Sequence, residues 1–414
     1  MIASLALRLL GTVVSASLLL AQDPAPPAPG GFRAKAGSGL EYDGGDVLGF
    51  RMLNMLQATW TFSSMDNGAA DTSTFNVPRA RTTLWGHVFG KNLLYKLQVD
   101  GADAGAAGGA IKEGHATWNF ATGDHTVGLR MGQGKALYGF EGTGSSAGTF
   151  FAETSAATKG FAAAYSRGAW FVGSSHDNQL RWSVGAMNGD VAGGLGAGYL
   201  DRGEESANSD NELSYTAQLN FDPLGRFLDG GNEAFLQGDF RTGDKSLKGT
   251  VGVGAASGNG RSTGTGTDVE STSINLDTAW SIAGFQVMGE YFLRTDEQQG
   301  VADKEEPHGF YVQGNYILPK GADTTLQWGF GVRFSMVEND VGNNGTVDFL
   351  TGLRGIAPSA SANSDATEVT VVANAFYHGH AAKTQIEYTW QDVDLGTAGD
   401  ATNHILVVAF QLLF

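Results

Sequence analysis

Two histidines, His378 and His380, have the spacing of metal ligands, but they flank a predicted turn and no third ligand lies near them in the sequence. They read as a surface pair. The Gly-Thr-Gly-Ser-Ser run that ends at Ser145 and Ser146 lacks the Lys-Ser/Thr that must follow a phosphate-cradling glycine loop. The same serines lack the strand-turn-helix setting of a hydrolase nucleophile. Cys is absent, which excludes disulfides and thiolate metal sites. The expectation is a protein that is not an enzyme and holds no metal or cofactor.

The charges that remain are of another kind. Arg51, Arg79, Arg81, Lys96, Arg130, Arg181, Lys248 and Arg333 each sit inside a segment of alternating polarity, as do Asp100, Glu113, Asp277, Glu290 and Glu387. A charge facing hydrocarbon is costly near the middle of a bilayer, so in a membrane barrel such residues point inward. A mixed-sign interior fits a water-filled pore. For any one residue, the competing reading is an ion pair that only holds the wall in shape.

Those charges need strands to position them. In Leu326–Met336 and in Leu213–Phe221 apolar and polar residues alternate, which places each set on one face of a strand. The set Phe50, Met52, Leu56, Ala58, Trp60 and Phe62 shares one parity opposite Arg51, Gln57, Thr59 and Thr61. Sixteen predicted strands span 47–62, 78–89, 92–101, 112–121, 125–134, 160–173, 179–188, 213–222, 247–257, 271–283, 285–295, 308–318, 324–337, 367–378, 383–392 and 403–414. Short turns and long linkers alternate between them, as in barrels with tight periplasmic turns and long outer loops. One link breaks the rule: 222–246 falls where a short turn belongs, and Glu233 to Arg241 within it could be a further strand. A large soluble β-sandwich would give similar alternation on fewer, shorter strands.

The ends and the composition favour the barrel. His404–Phe414 is a strand without a turn signal, and Phe410, Leu412 and Phe414 share a face with Leu406 and Val408. A strand closing on a terminal Phe resembles the carboxy-terminal assembly signal of bacterial outer-membrane barrels, which the barrel-assembly machinery reads. At the other end, residues 1–21 read as a secretory signal with an apolar run from Leu9 to Leu20, and 22–44 as a Pro/Ala/Gly-rich lead. The barrel is assigned to 45–414. Gly is abundant at 61 of 414 residues and Pro scarce at 9, which suits strands and turns better than helices. The net charge of −17 gives no electrostatic footprint for nucleic acid. Much of that charge falls in outer linkers: Asp190, Asp201, Glu204, Glu205, Asp210 and Glu212 in one, Asp296, Glu297, Asp303, Glu305 and Glu306 in another. Such runs are either solvated loops or an entrance that collects cations.

The longest linker beside a basic strand end runs from Lys135 to Lys159 and mixes glycines with Tyr138, Phe140, Phe150 and Phe151. Aromatic anchors on a glycine-bearing loop allow it to fold inward and narrow a channel. Tyr138, Phe140, Glu141, Glu153 and Lys159 are its candidate constriction residues.

Pro78–Phe89 followed by Leu94–Asp100 resembles the second and third strands of the phosphate-selective porins O and P family. Gly132-Gln-Gly-Lys135 with Gly139 and Glu141 resembles that family's approach to its constriction loop, and Trp182–Gly189 and Lys245–Gly254 are similar to later strands. The resemblance implies an all-β, transmembrane antiparallel barrel of about sixteen strands, usually a homotrimer in outer-membrane lipid, with the loop after the fifth strand folded inward. It implies anion contacts at Arg79, Arg81, Arg130 and Lys135, beside the pore-lining candidates Lys96 and Arg181. The chain departs from the family in being strongly acidic and in lacking a dense basic ladder. The expected function is passive diffusion of small hydrophilic solutes or ions. Phosphate or anion selectivity, a barrel enzyme, and a closed structural barrel stand as alternatives.

Overall fold

The computed structural model describes residues 31–414 except 36, 67–69, 103–109, 163–164, 176–177, 189–212, 229–231, 262–267, 299, 301–303, 322–323, 339–364 and 395–399. The signal segment and the acidic run from Asp190 to Glu212 lie outside the described residues, as does Asp303.

A short hairpin comes first, β1 (Gly31–Lys35) and β2 (Gly39–Asp43), and the barrel begins with β3 (Leu48–Met65). There follow β4 (Thr72–Val88), β5 (Leu93–Asp100), β6 (Ala110–Ala121), β7 (His125–Lys135), β8 (Tyr165–Ser175), β9 (Leu180–Asn188), β10 (Leu213–Phe221) and β11 (Lys248–Arg261). The wall is completed by β12 (Asp268–Ile282), β13 (Phe285–Gln298), β14 (His308–Ile317), β15 (Gln327–Glu338), β16 (Asp365–Phe376), β17 (Ala382–Asp394) and β18 (Asp400–Leu413). Each strand pairs antiparallel with the next, and β18 returns to β3, so sixteen strands close a ring. Closure satisfies the backbone groups of what would be edge strands, which a bilayer demands.

All sixteen sequence-predicted strands are present. Several extend at their outer ends: β11 runs to Arg261 and β18 begins at Asp400. The expected sixth strand differs, because 156–161 is helical and β8 starts at Tyr165. Part of the 22–44 lead forms the strands β1 and β2. The cause is the staggered closure: β18 ends where Phe414 and Asn54 exchange backbone hydrogen bonds, and β3 continues below that point. The β2 strand pairs Leu40 to Asp43 with Met52 to Gly49 and covers the exposed edge. Phe32, Tyr42 and Phe50 stack along it, and Glu41 accepts hydrogen bonds from Arg33 and Arg51.

Alternating residues keep to opposite faces around the wall. On β18 the residues Leu406, Val408, Phe410, Leu412 and Phe414 face outward, while Asn403, Ile405, Val407, Ala409 and Gln411 face the lumen and are buried. Outward apolar side chains such as Leu219, Val253, Ile274, Leu276, Val312, Val332 and Val371 form a continuous greasy band.

Candidate functional site

The lumen is the site, and two segments fold into it. The first is the loop between β7 and β8. It contains a single helical turn, α1 (Phe140–Thr143), and a short helix, α2 (Ala156–Phe161), capped by the Ser155 hydroxyl, which accepts from the Thr158 amide at 3.0 Å. The Glu141 carboxylate ties the two together by accepting from the Ser155 amide at 3.1 Å and the Thr158 hydroxyl at 2.6 Å.

This loop lies on β13–β18, and that wall is built to receive its backbone. Glu290 accepts from the amides of Phe140 and Glu141, and Glu387 from the Ala152 amide at 2.7 Å. Ser335 accepts from the Ala157 amide. In the other direction, Asn374 and Gln385 donate to the Phe150 carbonyl, Arg333 to that of Glu153, Lys383 to that of Thr149 and Gln411 to that of Ala147. A buried irregular segment carries backbone groups that helices and sheets would otherwise satisfy. Here wall side chains supply the missing partners. Apolar contacts finish the seat. Phe161 stacks on Phe292 at 5.6 Å, and Phe150 fills a hollow over Gly329 and Gly331, where a Cβ would come within 2.9 and 3.0 Å of its ring.

The second insertion is the link between β10 and β11. Its Glu233–Arg241 stretch is not a strand: it begins as a single 3-10 turn (Asn232–Ala234) and continues as irregular chain. The link enters the lumen because it is apolar where a tight turn would be polar. Phe227, Leu228, Phe235 and Phe240 pack against wall and loop, with Phe235 on Phe140 at 4.8 Å. Gln237 joins the two insertions. Its amide donates to the Gly148 carbonyl at 2.7 Å, its side-chain oxygen accepts from the Phe150 amide at 2.9 Å, and its carbonyl meets His380 Nε2 at 2.6 Å. The four aromatic and aliphatic residues of the link were a legible signal in the sequence, and a reading centred on strands passed over them.

The β4–β7 wall differs. There the lumen-facing cations keep accessible surface. Side-chain exposure is 15 % for Arg79, 12 % for Arg81, 26 % for Lys96 and 12 % for Arg130. Each has a carboxylate partner: Arg79 with Glu153 at 3.2 Å, Arg81 with Asp100 at 2.5 Å, Lys96 with Glu113 at 2.8 Å and Arg130 with Glu233 at 2.7 Å. Two of those acids are on the wall, one is on the loop and one on the link.

The sequence-predicted residues therefore separate into groups. Arg79, Arg81, Lys96 and Arg130 are gathered on one wall. Lys135 is turned away: its ammonium donates to the carbonyls of Gly142, Thr143 and Gly144 at the end of α1. This placement suits a cation, since a helical C-terminus exposes unpaired carbonyls. Arg181 is also withdrawn, held by Asp222 through two hydrogen bonds of 2.8 Å and by Thr250. Tyr138, Phe140 and Glu141 are buried as seat residues, Glu153 faces Arg79, and Lys159 is half-buried in the last turn of α2. Of the histidine pair only His378 is at the surface: His380 is 6 % exposed and bonded to the link. Burial and the adjacent Lys383 ammonium hold its imidazole down to about 3, so it stays neutral. Among the described residues no group of three or more potential ligands could hold a metal ion.

No protein-family model matches the sequence, and no curated protein matches it. Solved structures do match. The outer-membrane channel DcaP of Acinetobacter baumannii aligns with a TM-score of 0.56 at 11 % identity, over 88 % of this chain and 97 % of that one. An anion-selective porin from Comamonas acidovorans aligns with a TM-score of 0.54 at 9 % identity, over 88 % and 99 %. OmpT of Vibrio cholerae, in its trimer form, aligns with a TM-score of 0.51 at 12 % identity, over 87 % and 98 %. The fold is that of the outer-membrane porin barrels.

Proposed function

We propose that the chain is a bacterial outer-membrane porin, a passive path for small hydrophilic solutes and ions with no chemistry of its own. One observation carries this reading. The inward loop is seated on β13–β18, while the charged side chains of β4–β7 retain contact with water. A hydrated passage then runs between the insertions and the β4–β7 wall, with its width set by the loop. The likeness in fold to channel and porin structures supports it. The trimer form of the Vibrio cholerae neighbour supports a homotrimer in outer-membrane lipid, and the terminal Phe414 of the closing strand supports its being read by the barrel-assembly machinery.

A second reading, anion preference, is favoured by the four cations on one wall and by the anion-selective neighbour. The narrower identity, a phosphate-selective porin of the O and P family, requires Arg79, Arg81 and Arg130 to exchange their carboxylates for phosphate. Refolded protein in a planar bilayer tests the proposal. Discrete, stable conductance steps are expected, and a membrane that stays silent across a range of voltages would refute a porin.

A further inference from the structure

The link between β10 and β11 brings more than packing into the lumen. We propose that its Glu233 determines the charge preference of the passage, by cancelling the positive excess of the β4–β7 wall at Arg130 and Lys96. This inference rests on the porin reading.

The wall's own charges do not balance. Arg81 pairs with Asp100 on the neighbouring strand, and Lys96 pairs with Glu113 on the next. Among the described residues Arg130 makes its ion pair not with a wall acid, Glu113 lying only within electrostatic range, but with Glu233, which meets it at 2.7 Å from a different segment. Lys96 lies within electrostatic range of Glu233 as well. Four partly accessible cations thus face two wall acids; a third negative charge, Glu153, arrives on the loop against Arg79, and the fourth, Glu233, on the link.

The form of the pair matters. Arg181 and Asp222 share two parallel hydrogen bonds of 2.8 Å and are almost wholly buried, the geometry of a clamp. The pair of Arg130 and Glu233 is joined through one nitrogen and one oxygen. Its Nε, Nη1 and remaining carboxylate oxygen are buried without a hydrogen-bond partner among the described residues, while the Glu233 side chain as a whole is 24 % exposed. A pair made on one edge only holds nothing else in place, while its charges still act on passing ions. Glu233 is also fixed in position. Phe235, two residues on, packs against Phe140, and Gln237 is bonded to both loop and barrel. Burial alone would raise its carboxyl, but Arg130 and then Lys96 outweigh that and hold it below the usual carboxylate range. The charge is therefore permanent at physiological pH.

The test is the reversal potential in a bilayer across a KCl gradient, with the full-length barrel. Wild type should lean only weakly to either ion. In Glu233→Gln the chloride-to-potassium permeability ratio should rise about fivefold, the scale of one unit charge acting at ~4 Å in water. Arg130→Gln should move it the other way, and the double variant should return close to wild type. Conducting channels whose reversal potential is unmoved by Glu233→Gln would overturn the inference. If that variant fails to insert, the Arg130→Gln arm decides, since a ratio unchanged there would equally refute the cancellation. A wild type that forms no channel would instead refute the porin reading.

Discussion

Two parts of one wall, β4–β7 and β13–β18, both carry polar and charged residues at lumen-facing positions, yet use them in opposite ways. On β13–β18 they are spent on the loop: Glu290, Glu387, Ser335, Asn374, Gln385 and Lys383 each bond its backbone and are 0–3 % exposed. On β4–β7, Arg79, Arg81, Lys96 and Arg130 pair with single carboxylates and stay in contact with water. A polar lumen position is thus not by itself a pore position. It faces water or serves as a seat according to what folds against it.

The contrast orders the effects of mutation. The largest loss of stability is expected where the seat is most tightly filled. Phe150→Ala empties the hollow over Gly329 and Gly331 and should cost about 3–5 kcal/mol. A clear drop in the heat-modifiability midpoint on gels would register it. Glu290→Ala removes the acceptor of two loop amides and should cost about 1–3 kcal/mol for each buried group left unpaired. Because it releases α1 from the wall, single-channel conductance should rise with it. Arg79→Gln, on the other wall, should cost about 1 kcal/mol, since its pair with Glu153 is partly solvated. Its signature should be a reversal potential moved toward potassium with the melting midpoint nearly unchanged. If Arg79→Gln destabilised the barrel as much as Phe150→Ala, the division between seat and passage would fail.

At neutral pH the smallest effect is that of His380, which shows only on acidification. His380 is held neutral, with a folded value of about 3 against an ordinary 6.5. The unfolded chain therefore binds a proton that the folded chain refuses. Stability is fully present above pH 6.5 and falls as the pH is lowered through the window toward 3. Melting midpoints of wild type and His380→Gln should converge or cross on acidification, and parallel curves would show that the histidine contributes nothing to that loss.

Much of the barrel was legible because period-two alternation is a direct consequence of a wall between lipid and interior. The strand at Leu326–Met336 and the closing strand at His404–Phe414 could be read residue by residue. The site was legible in part. Parity placed Arg79, Arg81, Lys96 and Arg130 inward, but not their partners, because pairs such as Arg130 with Glu233 join segments 103 positions apart. Lys135 and Arg181 share the pattern of the pore cations and differ only in what lies near them: carbonyls at the end of α1 for one, Asp222 for the other. The 222–246 link stands out by its length, but strand counting offers it only as a turn or a further strand, and its inward packing through Phe227, Leu228, Phe235 and Phe240 follows from contacts distant in sequence.

The absence of native cysteine allows the central division to be tested directly. Lys96→Cys and Ser335→Cys should each be treated with a charged thiol reagent while conductance is recorded. Side-chain exposure is 26 % for Lys96, whereas Ser335 is wholly buried under α2. The account predicts rapid modification and a stepwise fall in current for Lys96→Cys, with Ser335→Cys unaffected. A block at Ser335→Cys with none at Lys96→Cys would place the water on the wrong side of the loop and contradict it.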